Sequence, residues 1–183
     1  MSCANDIISL IPDCGTLKKK GGVKKKVWAI AHSTATYTLD GDGYVDTVTL
    51  PATSPATTLK VYSGKKSKNN GVITGEVGEN TNSIKQDLNL ILFADTPEER
   101  EAIEKLFYSE ELDLFIQRED GKIELWGYND GLLPSALAGG TGTLLNDSTA
   151  YTVTLSGSQD NLPKVCKFGA TTQDDVDYLN ALT

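Results

Sequence analysis

This 183-residue chain is poor in histidine, cysteine, methionine and aromatic residues, with one His, three Cys, one Met and 7% aromatics. The lone His32 leaves little of the side chain that most often serves acid–base catalysis and metal binding near neutral pH, which argues against an enzyme. It lies in an apolar run with no Cys or His at ligand spacing and reads as a structural histidine. Cys3, Cys14 and Cys166 are odd in number and form no C-x-x-C pair, so neither a zinc knuckle nor a full disulfide framework is encoded, and folding in a reducing cytosol is expected. Long apolar runs are missing too. Ile7 to Ile11, broken by Ser9, is far too short to span a membrane and follows no basic segment, so neither an anchor nor a signal peptide is expected.

What is present is an ordinary globular composition, 39% hydrophobic and 23% charged, at a length that suits about one domain with a real core. The net charge of −8 is unevenly spread. Residues 1–30 sum to +4 through Lys18, Lys19, Lys20, Lys24, Lys25 and Lys26, residues 76–146 to −10, and the tail from 147 to −3. An acidic surface of that extent repels a phosphate backbone, so general nucleic-acid affinity is not expected. The two lysine triplets lack interleaved aromatics for base stacking and read as a solvated arm or as charge matched to an acidic neighbouring subunit.

Period-2 runs separated by Gly, Asn, Asp and Pro signals make this a mainly β sequence of antiparallel sheets. Strands are expected at Val27–His32, Tyr44–Leu50, Leu59–Tyr62, Ser83–Phe93, Leu112–Arg118, Lys122–Tyr128, Leu132–Leu137 and Tyr151–Ser156, with a last extended piece in Leu162–Phe168. Gly71–Gly78 continues as an exposed hairpin arm. Asp40-Gly41-Asp42-Gly43 and Asp120-Gly121 are hairpin turns. A calcium loop over Asp40, Asp42 and Asp46 fails in register after the second Asp, and Gly139–Thr143 lacks the Lys-Ser/Thr of a phosphate loop, so it reads as a plain loop.

Thr96-Pro97-Glu98-Glu99 supplies a capping hydroxyl, a first-turn proline and a glutamate three positions after the cap. A flanking helix over 97–107 follows, with Ala102, Ile103, Leu106 and Phe107 as its apolar stripe. A second helix is expected over Thr172–Leu182, capped by Thr172. The chain divides into 1–58 (arm and first strands), a β-sandwich core over 59–168, and a helical extension over 169–183.

Strand alternation sets Asp87 and Asn89 opposite Leu88 and Leu90, and Thr152, Thr154 and Ser156 opposite Val153 and Leu155. Sheets with one wet face are implied, and such a face suits the wall of a water-filled bore. Two further function classes are weaker. A small hydrolase lacks a nucleophile–base pair. A glycan-binding sandwich would rely on Trp28, Trp126 and Tyr128.

From Leu59 to Cys166 the sequence resembles the tail tube proteins of tailed bacteriophages. The likeness rests on the order of strands, the helix after TPEE, the hairpin LDLFIQREDGKIELWGYNDGL ending in Gly127–Gly131, and LLNDSTAYTVTLSGSQDNLPKVC. The arm and the tail after Phe168 lie outside it. The resemblance implies a β-sandwich assembled as six-membered rings that stack into a tube lined by one continuous β-barrel. It implies a structural virion protein made in the host bacterial cytoplasm, with no cofactor, contacting its own copies, other tail proteins and the DNA that passes through. A head–tail joining or tail terminator protein of the same fold is the alternative. Asp87, Asn89, Thr152 and Thr154 would then face the lumen, and the lysine triplets would contact neighbouring subunits.

Overall fold

The structure, a computed structural model, describes residues 23–51, 59–63, 69–78, 82–140 and 150–183. Lys18, Lys19 and Lys20, the proline-containing loop after Pro51 and the turn at Asn146-Asp147-Ser148 lie outside these. The elements run β1 (Val23–Ala31), β2 (Thr36–Leu39), β3 (Val45–Thr49), β4 (Lys60–Ser63), β5 (Asn70–Val77), β6 (Asn82–Leu92), α1 (Pro97–Phe107), β7 (Leu112–Arg118), β8 (Ile123–Trp126), β9 (Leu133–Gly140), β10 (Ala150–Gln159), β11 (Lys164–Cys166) and α2 (Thr172–Ala181).

The protein is mainly β, with two sheets and two helices among the described residues. A seven-stranded sheet has the order β2-β3-β11-β8-β7-β1-β4 and a four-stranded sheet the order β5-β6-β10-β9. Every pairing is antiparallel except one bridge, Cys166 to Val45, where β11 meets β3 in parallel.

Alternation along the central strands of the large sheet feeds two cores. Val27, Ala29, Leu112, Leu114 and Ile116 face the small sheet, meeting Leu88, Leu90, Leu92, Val153 and Leu155, with Ile103 and Leu106 of α1 completing the cluster. Trp28, Ile30, Phe115, Ile123 and Leu125 face the other way, where Leu179 of α2 joins Val45, Val48, Leu59 and Cys166. A strand buried on both faces has no wet positions to alternate, which is why Val27–Ile30 and Leu112–Ile116 read as nearly unbroken apolar runs.

α1 begins as its sequence dictates. Thr96 caps it, its hydroxyl accepting from the Glu99 amide at 3.3 Å while the Glu99 carboxylate accepts from the Thr96 amide at 3.0 Å. The Thr96 and Asp95 amides, both donating to the Glu99 carboxylate, hold it below its ordinary range. Ile103 and Leu106 are buried, Phe107 is half-buried, and Ala102 is exposed at the stripe's edge.

Several sequence expectations are corrected. β1 starts at Val23, four residues early, because Val23 is buried and pairs with Arg118, while a bulge before Val27 takes up the lysines between. Lys24, Lys25 and Lys26 therefore belong to a strand rather than to a free arm. β2 is an addition to the expected strands; its four residues are mostly exposed and pair only with β3. Gly139 and Gly140 extend β9 instead of opening a loop, and a side chain at Gly139 would collide with the Tyr151 ring. The second helix is capped by Thr171, not Thr172, through a box with Asp174. This expected second helix packs on the fold, Leu179 helping to close the second core.

Both hairpin turns form as read. Asp40 Oδ1 accepts from the Asp42 and Tyr44 amides at 2.9 and 2.8 Å, which closes the turn, and Gly43 takes φ of 84°. Gly121 takes φ of 97° after Asp120.

Candidate functional site

The four-stranded sheet has one greasy face and one wet face. β6 and β10 pair over nine positions, from Tyr151 against Leu92 to Gln159 against Ile84. In this register Leu88 lies opposite Leu155 and Leu90 opposite Val153, all four fully buried against the large sheet. Asp87 lies opposite Ser156, Asn89 opposite Thr154, and Ile91 opposite Thr152, half-buried on the outer side. The four candidate residues Asp87, Asn89, Thr152 and Thr154 thus share one face.

Hydrogen bonds cross the strands along this face. The Thr154 hydroxyl donates to Asn89 Oδ1 at 2.8 Å, and the Ser156 hydroxyl donates to Asp87 Oδ1 at 2.5 Å. Lys85 Nζ stands 3.5 Å from Asp87 Oδ2. On the flanking strands Ala136 and Ala138 lie opposite Thr154 and Thr152, and Val72 and Thr74 lie opposite Asp87 and Lys85. The face is polar, small in side chain and weakly charged.

Both outer strands of this sheet are open. Every residue of β5 is exposed, including Val72, Ile73 and Val77, and β9 exposes Leu133 and Leu137. β5 carries one charge, Glu76, and β9 none. Edge strands of monomeric proteins are usually blunted by lysines, prolines or bulges. Here only the start of β9 is blunted, by Pro134 and by the register shift beside it, which leaves Ala136–Gly140 free to pair.

Two buried glutamines fix the small sheet to the large one. Gln86 Oε1 accepts from the Gly127 amide at 3.2 Å, and its Nε2 donates to the Asn161 carbonyl at 3.0 Å. Gln159 Oε1 accepts from the Asn129 and Asp130 amides, and its Nε2 donates to the Gly131 carbonyl at 2.8 Å. The clamped turn is the Gly127–Gly131 segment on which the resemblance leaned. Its glycines are obligatory: Gly127 and Gly131 take φ of 82° and 66°, and a side chain at Gly127 would meet the Leu112 carbonyl at 2.8 Å.

The sequence reading did not find the network around Asp113. This fully buried carboxylate takes His32 Nδ1 at 2.7 Å and the Tyr37 hydroxyl at 2.5 Å. Burial raises its pKa, and the Tyr37 and His32 contacts oppose that rise. Burial and the nearby carboxylate push the Tyr37 phenol far above its usual range. The single signal was an Asp inside the apolar run LDLFI; its partners sit 76 and 81 residues away. His32 partners this carboxylate, which agrees with its reading as a structural histidine.

Trp28 and Trp126 are core residues, 0% and 3% exposed, which leaves only the half-buried Tyr128 of the aromatic set that a glycan-binding face needed. Among the described residues no helix is long and apolar enough to cross a membrane. Lys26 is exposed on β1 of the large sheet, opposite Ser63 of its edge strand β4, and so is not part of the wet face of the small sheet. Compared with protein-family models and with curated proteins, the chain matches none.

Proposed function

We propose that this chain is the subunit of a bacteriophage tail tube: a ring closed by edge-to-edge pairing of the four-stranded sheet, its wet face lining a bore for DNA. The observation that carries the reading is a two-faced sheet with an even number of antiparallel strands and two unguarded edges. In β5-β6-β10-β9 the outer strands run in opposite directions. Copies related by rotation about one axis therefore meet β9 to β5 in antiparallel fashion, and every junction repeats the geometry inside the subunit. The contact is heterologous and closes on itself, which removes the edges.

Size is consistent with this. The six copies implied by the resemblance give a barrel of about 24 strands, roughly 50 Å across its backbone at ordinary strand spacing and tilt. A double helix passes through such a bore. The lining offers hydroxyls, amides and few charges, and the chain as a whole is acidic, so DNA slides rather than sticks. The lysines of 18–26 are assigned to contacts with neighbouring subunits or other tail proteins, where the exposed Glu98, Glu101 and Glu104 of α1 are complementary.

Sedimentation velocity of the purified chain tests the reading. Rings or longer assemblies are expected. Rings that never elongate favour the terminator or joining role. A monomer at every concentration overturns the proposal.

A further inference from the structure

Lys85 is the one cation on the four strands of the small sheet. It sits on the wet face, among hydroxyl, amide and small apolar side chains that carry no positive charge. Asp87, two residues on and therefore on the same face, holds its carboxylate 3.5 Å from the ammonium. That carboxylate is itself anchored, because its other oxygen accepts from Ser156 on β10. Thr74 lies opposite Lys85 on β5, and Glu76, opposite Ser83, is its diagonal neighbour on the same face. One ammonium thus has a carboxylate fixed beside it, with a second acidic residue at the diagonal register position.

We propose that Lys85 is the point at which this face contacts DNA phosphates, and that Asp87 is a positioning residue that masks it. The inference deepens the tube reading and rests on it, since only a ring brings the copies of Lys85 into one circle around a duplex. The pair is half-buried, its side chains 40% and 26% exposed, so solvent screens the attraction between its members and a phosphate competes for the ammonium. Rotational symmetry multiplies the effect: unmasking one lysine per copy adds several phosphate contacts at one height of the bore. Each contact steepens the dependence of log affinity on log salt by about 0.9.

The test compares assembled rings of the wild type, Asp87→Asn, Lys85→Gln and the double variant, titrated with a labelled DNA duplex at about 50–200 mM salt. In Asp87→Asn the new amide oxygen still accepts from Ser156, so folding and assembly are preserved, and each sample's particle mass is measured alongside. Asp87→Asn is expected to bind DNA roughly a hundredfold more tightly at the low-salt end, with a slope steeper by several units, the two curves converging toward the high-salt end. The double variant should fall back to wild-type binding. Rings in which Asp87→Asn binds no better than wild type overturn this inference alone, as does a double variant that stays sticky. An absence of rings in all four overturns the tube reading and this inference with it.

Discussion

Thr154 and Asn89 stand directly opposite each other on β10 and β6, joined by a hydroxyl-to-amide-oxygen bond of 2.8 Å on the side of the sheet away from the core. Their neighbours Val153 and Leu90 pair on the buried side. One register step would exchange these two sets, so the faces make opposite forecasts. Asp87→Lys should fold and assemble, because its side chain reaches water. Leu90→Lys should not fold, because it places an unpaired charge in a closed core. Circular dichroism melts of both variants decide the matter; a tolerated Leu90→Lys with an unfolded Asp87→Lys would mean the faces are reversed.

The start of α1 supplies a graded comparison. Thr96→Ala removes the hydroxyl that accepts from Glu99 and should cost about 1 kcal/mol. Leu106→Ala empties a buried position against both sheets and should cost about 2–5 kcal/mol. Equal shifts in urea midpoint would contradict the packing of this helix.

Gly71 on β5 lies under the Trp126 ring, where an added Cβ would stand 2.4 Å from the ring edge. Gly71→Ala must displace either β5 or the indole, a change that typically costs about 1–3 kcal/mol. Because the proposed ring pairs β5 with a neighbouring β9, the variant should weaken ring formation more than it lowers monomer stability. A variant with wild-type sedimentation would show that β5 has freedom the packing does not suggest.

Alkaline pH should unfold the protein. Burial raises the pKa of the Tyr37 phenol, the Cys166 thiol and the Tyr62 phenol in the folded state. The folded chain keeps these protons while the unfolded chain releases them, starting near the ordinary values of about 8.5 for Cys and 10 for Tyr. Stability is therefore full below those values and falls as pH rises through them, by about 1.4 kcal/mol per pH unit for each group titrating only in the unfolded state. Tyr37→Phe should flatten that decline while lowering stability at neutral pH, since Asp113 loses a donor. A decline equally steep in Tyr37→Phe would remove Tyr37 from the account.

The sequence revealed the parts governed by local rules. Helix α1 announced itself through Thr96-Pro97 and Glu99, and the β7–β8 hairpin through Asp120-Gly121. The polar face was legible because β6 and β10 have one dry and one wet side, so Leu88 and Leu90 alternate with Asp87 and Asn89. What stayed hidden depends on distant partners. β2 is only four residues long, and its alternating Tyr37 and Leu39 are too short a pattern to mark a strand without β3 beside it. The lysines at 24–26 looked like an arm because Val23, which ties them into β1, gains its meaning only from Arg118 across the sheet. The place of α2 could not be read either, since nothing local says that Leu179 fills the far side of strands whose other side meets the small sheet. The same holds for Asp113, whose partners are brought to it by tertiary packing.

The central claim is that β9 of one copy pairs with β5 of the next. Electron cryo-microscopy of the assembled chain measures this directly. The account predicts rings of six whose inner wall is an unbroken antiparallel barrel, with Ala136–Gly140 hydrogen-bonded to a neighbouring β5 and with Asp87, Asn89, Thr152 and Thr154 on the bore. Rings joined through other surfaces, with β5 and β9 left unpaired or with the wet face turned outward, would contradict it.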